Sequence, residues 1–90
     1  MHRTLPLKNQ KIFEKICELS NISKFKIVEL TQDKEMSITI LSKEANLAFN
    51  KCSNYCSSLE NFGLVTKHKE GKEVFVKSNL NLDKLFMLLI

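Results

Sequence analysis

The sequence predicts a mainly α-helical domain with one small β-hairpin near its end. Apolar residues recur at three- and four-residue spacing through most of the chain. Strand-forming residues gather on either side of a single glycine, with Leu64-Val65-Thr66 before Gly71 and Val74-Phe75-Val76 after it. Two Gly and one Pro in 90 residues leave few places where regular structure must break, so the chain is expected to be ordered nearly end to end. This length supports a single domain, 1–90. Within it fall an N-terminal helix (1–22), a three-helix core (23–63), a hairpin (64–78) and a C-terminal helix (79–90).

Ile12, Phe13, Ile16, Cys17 and Leu19 mark the apolar face of a first helix, about residues 8–20, whose other side carries Lys11, Glu14, Lys15 and Glu18. Ser23 is expected to cap a second helix. Its apolar face is Phe25, Ile27, Val28 and Leu30, and it fades into the polar run Thr31, Gln32, Asp33 and Lys34. Met36-Ser37-Ile38 allows no more than a β-bridge, and Thr39 stands where an N-cap belongs for a short helix over residues 40–46, with Leu41 and Ala45 inward. Asn46 tolerates the left-handed conformation better than any residue but Gly, so it turns the chain sharply through Leu47-Ala48 into the next helix.

That helix, about residues 49–61, aligns Phe49, Cys52, Cys56, Leu59 and, just beyond, Phe62 in one inward stripe, and Gly63 ends it. Its remaining positions include Asn50, Lys51, Ser53, Asn54, Ser57 and Ser58, with no carboxylate before Glu60. A merely solvated helix usually alternates Glu and Lys. An acid-free face of hydrogen-bond donors is what a phosphate-lined groove accepts. Residues 64–69, a turn at Glu70-Gly71 and residues 72–77 form the hairpin, which Ser78, Asn79 and Asn81 interrupt. Leu82, Leu85, Phe86, Leu88, Leu89 and Ile90 make a last helix that is apolar around most of its circumference and needs cover.

Three helices, the second and third joined by a tight turn and followed by a two-stranded hairpin, are the plan of a winged helix-turn-helix, here with extra N- and C-terminal helices. Residues 23–78 resemble the ArsR-like group of winged-helix transcription regulators. The match runs through Phe25-Lys26-Ile27-Val28-Glu29-Leu30 and Ile40-Leu41-Ser42-Lys43-Glu44-Ala45-Asn46-Leu47. It closes on Leu59-Glu60-Asn61-Phe62-Gly63-Leu64-Val65 ahead of a basic, Gly-containing wing. The resemblance implies sequence-specific binding of double-stranded DNA by a homodimer whose terminal helices meet those of a second subunit, and transcription regulation with repression the favoured outcome. Two departures stand out. Ala48 replaces the usual Ser or Thr cap of the recognition helix, forfeiting about 1 kcal/mol. Leu41-Ser42-Lys43 replaces the Cys-x-Cys metal motif that some members carry, so no metal site of that type is expected.

Asn50, Lys51, Ser53, Asn54 and Ser57 are therefore the residues expected to meet base edges and phosphates in the major groove, with Lys67, Lys69 and Lys72 holding the backbone beside it and His68 either reaching a phosphate or the minor groove or standing exposed to solvent. Tyr55 fits either the edge of the apolar stripe or a DNA-facing hydroxyl. The net charge of +4, from 14 Lys+Arg against 10 Asp+Glu, is modest for a DNA-binding chain, and Glu70 and Glu73 dilute the wing. Two alternatives follow: a winged helix used as a protein interaction module, and a thiol-responsive regulator. Cys52 and Cys56 lie four apart and, with Cys17 or His68, have the donor chemistry of a zinc or redox site. Their position on the apolar stripe favours core packing. Cys17 is the candidate for an intersubunit disulfide if the first helix meets its symmetry mate.

The chain has no HExxH, Gly-rich phosphate loop or GxSxG, so it is not expected to be an enzyme. No cofactor or small-molecule effector is indicated, and His2 is given no role. The longest apolar run, residues 85–90, is far short of the roughly 20 residues needed to cross a bilayer. The first 20 positions mix Lys and Glu where a signal peptide would be apolar. A reducing cytoplasmic setting, with DNA and a second copy as partners and no membrane, is the expectation.

Overall fold

A computed structural model describes residues 6–89. His2 and the rest of residues 1–5, together with the Ile90 end of the last expected helix, lie outside the described residues. Helices α1 (Leu7–Leu19) and α2 (Ile22–Leu30) lead to a two-residue strand β1 (Met36–Ser37), then α3 (Ile38–Glu44) and α4 (Phe49–Asn61). Strands β2 (Val65–Glu70) and β3 (Glu73–Ser78) form the hairpin, and α5 (Leu82–Leu89) follows. Strand β3 lies between the other two and is antiparallel to both. Met36 and Ser37 pair with Val76 and Phe75, so the bridge expected here is a short third strand that covers the inner edge of β3.

Two caps differ from expectation. Asn21, not Ser23, caps α2, its Oδ1 accepting from the Lys24 backbone N–H at 3.1 Å. Ser37, not Thr39, caps α3, its Oγ accepting from the Ile40 N–H at 3.3 Å. In both places a residue of equal capping chemistry stands two positions earlier, and the earlier start also brings Ile38 into the core. The helix ends are as the sequence implies. Asn46 adopts φ 56° and Gly63 φ 75°. The amides that follow reach back to the helix, Leu47 N–H to the Ser42 carbonyl at 2.8 Å and Leu64 N–H to the Leu59 carbonyl at 2.9 Å. The hairpin bend is the two-residue turn Gly71-Lys72 between paired Glu70 and Glu73, one residue later than expected, with Gly71 at φ 63°.

The core joins Ile27 and Val28 of α2, Ile38 and Leu41 of α3, Cys52, Cys56 and Leu59 of α4, and Leu64, Val65 and Val76 around the hairpin. Ala45 is half-buried. The polar run after α2 is structural as well. The Thr31 hydroxyl is buried and donates to the Ile27 carbonyl at 2.9 Å. The Gln32 amide donates to Ser78 Oγ and to the Leu80 carbonyl, both at 2.7 Å, while its oxygen accepts from the Leu82 N–H at 2.9 Å. One side chain thus ties the end of α2 to the start of α5, which Asn81 caps through the Lys84 N–H at 3.0 Å.

The apolar stripes of the terminal helices have no such cover. Ile12, Phe13 and Ile16 of α1 and Phe86, Met87, Leu88 and Leu89 of α5 are exposed in the protomer, and Phe25 of α2 reaches the surface between them, beside Ile16, Leu85 and Leu89. The radius of gyration, 14.1 Å, exceeds the about 12 Å of a closed domain of this length. Glu18, expected on the solvent side of α1, is buried instead at 8% exposure, because Lys24 and Ser58 approach its carboxylate from α2 and α4.

Candidate nucleic-acid interface

Helix α4 is seated by its inner face and presents its outer one. Cys52, Cys56 and Leu59 are fully buried, and the 3.6-residue period then turns Asn50, Lys51 and Asn54 to solvent. Ser53 is half-buried on the flank. Among the described residues, the side chains of Asn50, Ser53 and Asn54 make no hydrogen bond within the chain, so their donors and acceptors are available to a partner. No acid occupies the first turn of α4, whose amides carry the positive end of the helix dipole. Ala48 offers no side-chain cap, as the sequence implies.

The expected inward stripe fails at its first member. Phe49 is 53% exposed although it shares a heptad-like spacing with Cys52 and Cys56. At the first residue of a helix the spacing fixes a direction around the axis, but there is no preceding turn of protein to close over the ring.

Two side contacts hold α4 in orientation. On one flank the Glu18 carboxylate accepts from the Lys24 ammonium at 2.8 Å and from the Ser58 hydroxyl, and Lys24 Nζ also reaches Ser58 Oγ at 3.3 Å. Lys24 and Lys51 stand over the Tyr55 ring, 5.3 and 5.8 Å from its centroid. Tyr55 thus lies at the edge of the stripe as a platform that orients Lys51. On the other flank Lys67 of β2 donates from Nζ to Ser57 Oγ at 2.8 Å and from its backbone N–H to Glu60 at 3.1 Å. Ser57 and Lys67 therefore form the seam between α4 and the wing.

Strand alternation divides the remaining wing residues. Lys67 and Lys69 point to the side of Val65, opposite Val76 and Val74, whereas His68 points the other way and stacks on Phe75 with centroids 5.6 Å apart. Lys69 and, at the turn, Lys72 are exposed, with no ion pair among the described residues. His68 has a carboxylate beside each ring nitrogen, Glu35 at 3.2 Å from Nδ1 and Glu70 at 3.5 Å from Nε2. Those three exposed residues also form a group whose ligand atoms lie within 4.8 Å of one another. They face different edges of one imidazole, the geometry of a bridge when the ring is protonated rather than of ligands converging on an ion. The bridge was invisible in the sequence because Glu35 lies far from the wing along the chain.

The cysteines separate in the same way. Cys52 and Cys56 are buried as neighbours on one face of α4; the adjacent Cys52 thiol first, and burial second, push the Cys56 thiol well above its ordinary range and keep it protonated. Cys17 is exposed on α1. No helix among the described residues is long and apolar enough to cross a membrane.

No protein-family model and no curated protein matches the sequence. In three dimensions the chain is similar to HlyU from Vibrio cholerae N16961, at 24% identity over 94% of this chain and 92% of that one, with TM-score 0.79. It is similar to the homodimeric winged helix-turn-helix DNA-binding domain of Mb0332 from Mycobacterium bovis, a possible ArsR-family transcriptional regulator, at 19% identity over 99% and 86% of the two chains, TM-score 0.78. The transcriptional repressor BigR from Xylella fastidiosa superposes at 15% identity over 92% and 90%, TM-score 0.76. Coverage this complete in both directions makes α1 and α5 part of the shared fold, a winged helix-turn-helix with helices at both ends.

Proposed function

We propose that this chain binds double-stranded DNA as a homodimer and regulates transcription, repression being the outcome when an occupied site excludes polymerase. The observation that carries the reading is the acid-free outer face of α4, with Asn50 and Asn54 unengaged and Lys51 held over the Tyr55 ring, presented by a winged-helix frame. In this reading α4 enters the major groove, Ser53 follows its wall, Ser57 serves the seam with Lys67, and Lys69 and Lys72 reach flanking phosphates. Lys67 acts by seating the wing on α4, and His68 by bracing its outer face against Glu35 and Glu70. The site is assigned no enzymatic step, cofactor or small-molecule effector, and its setting is the cytoplasm, where DNA and reducing conditions coincide.

The dimer is assigned to the uncovered stripes of α1 and α5, since so much apolar surface on a chain of this size needs a second copy. Cys17, exposed on α1, is then in a position to meet its mate, and a covalent dimer on a non-reducing gel that disappears in Cys17→Ser tests that pairing. The function is tested by mobility shift on random duplex at two salt concentrations and by footprinting on the DNA upstream of the chain's own gene. Retardation that weakens with salt, with a protected segment, is the expected result. A chain that shifts no duplex at low salt is not a DNA-binding protein, and capture of another protein by α5 would then favour the interaction-module reading.

A further inference from the structure

Most exposed large apolar residues lie on α1, α2 and α5, where a second copy covers them in the reading above, but Ile40 and Phe49 belong to the helix-turn-helix itself. Phe49 is the one such residue on α4 among the described residues, and it occupies that helix's first position. The residue is 53% exposed, although its spacing places it on the side of Cys52 and Cys56. Its neighbours in the turn, Asn50 and Lys51, point donors outward, and no acid accompanies them.

Resting on the DNA-binding reading, we propose that Phe49 is a specificity residue that reads the C5 methyl group of a thymine in each half-site. The N-terminal residues of a recognition helix are the ones that reach base edges. A phenyl ring has no donor or acceptor to offer a phosphate or a base edge, and the apolar feature the major groove presents is the C5 methyl. Thymine carries it in unmodified DNA; 5-methylcytosine carries the same group. Asn50 and Lys51, the next two residues of the helix, then read the hydrogen-bonding edges of the adjoining pairs while Phe49 fixes the position of one A·T pair.

The unaltered chain tests this without any substitution. Duplexes are selected from a random-sequence pool with the wild-type protein, and each thymine of the selected half-site is replaced in turn by deoxyuridine, which differs only by lacking the methyl. One position should lose affinity about fourfold per half-site, and about 15-fold when both half-sites are replaced, the value of one buried methyl counted once or twice. Phe49→Ala should bind thymine and uracil duplexes equally, with unchanged helical content and oligomeric state. Methylating each cytosine separates the two carriers of the group. A gain there with no thymine sensitivity overturns the thymine assignment, as does a thymine-to-uracil ratio that persists in Phe49→Ala, or an altered oligomeric state in that variant. Failure to select any duplex is a different outcome, and it overturns DNA reading altogether.

Discussion

Helices α4 and α5 both carry an apolar stripe at helical spacing, and the two stripes meet opposite fates. Cys52, Cys56 and Leu59 of α4 lose all contact with solvent, whereas Leu88 of α5 remains 83% exposed in the protomer. The α4 stripe is shallower in hydrophobicity, with two cysteines in three places, yet it finds α2, α3 and the sheet within its own chain. The richer α5 stripe is anchored only at its start, where Gln32 and Asn81 fix Leu82 and the first turn. Periodicity states that a helix has a face to bury. It does not state whose surface buries it, and here that distinction separates the core from the face that the proposed dimer would cover.

The sharpest way to break the comparison is to cut equal volumes from the two stripes. Leu59→Ala removes a fully buried side chain and should cost about 2–5 kcal/mol, a large part of the stability of any domain this small. Leu88→Ala should change urea denaturation by no more than about 0.5 kcal/mol at concentrations where the chain is monomeric. As the concentration rises, its cost should grow, because a dimer contact contributes by mass action while a core contact does not. A concentration-independent loss in Leu88→Ala would mean that α5 folds back onto its own protomer.

The next effect concerns the polar contact that seats α4 against α1 and α2. Glu18, Lys24 and Ser58 join α1, α2 and α4, with Glu18 and Lys24 side chains only 9% and 16% exposed. Glu18→Ala leaves the ammonium of Lys24 half-compensated and should cost about 1–3 kcal/mol. Pairing it with Lys24→Met should restore most of that, since a buried ion pair contributes little beyond what an apolar pair of similar shape gives. If the double variant is stable but binds DNA less tightly than wild type, the contact serves to orient α4 rather than to hold the fold.

A smaller effect is expected within the α4 stripe. Cys56→Leu keeps an apolar side chain in the core and should cost less than about 1.5 kcal/mol, with DNA affinity intact. Cys56→Ser buries a hydroxyl with only Cys52 beside it and should cost about 1–3 kcal/mol in thermal melts. Equal costs would indicate that the thiol pair contributes something other than volume.

Much of this was legible in the residues themselves, wherever a local requirement decided the outcome. Asn46 and Gly63 stand at left-handed positions that few residues tolerate, so the turn of the helix-turn-helix and the end of α4 could be located from sequence. Caps were legible in kind but not in place, because Asn21 competes with Ser23 and Ser37 with Thr39 on equal chemistry, and tertiary burial of Ile38 decides. The contact of Glu18 with Ser58 and the clamp by Gln32 depend on partners 40 to 50 residues away, a relation no local pattern carries. Of the nine residues expected to contact DNA, strand alternation and side contacts set apart Ser57, Lys67 and His68, each engaged within the chain. Phe49 was expected inward and is exposed for a geometric reason: a period gives an angle around a helix, not the depth of protein at its end.

The smallest expected effect separates holding from reading. Lys69 is exposed on the wing without an ion pair among the described residues, and the proposed DNA reading assigns it a phosphate contact alone. Lys69→Ala should weaken selected and random duplexes alike and lower the slope of log affinity against log salt by about one unit per protomer. Asn54→Ala, on the open face of α4, should leave that slope unchanged while costing about 1–3 kcal/mol on the selected duplex and little on random DNA. Lys67 provides the control. Its ammonium is already committed to Ser57 and Glu60, so Lys67→Ala should disturb the seating of the wing and alter both quantities together. Should Lys69→Ala change the ratio of selected to random affinity, the wing would be reading sequence, and the division of labour between α4 and the hairpin would have to be redrawn.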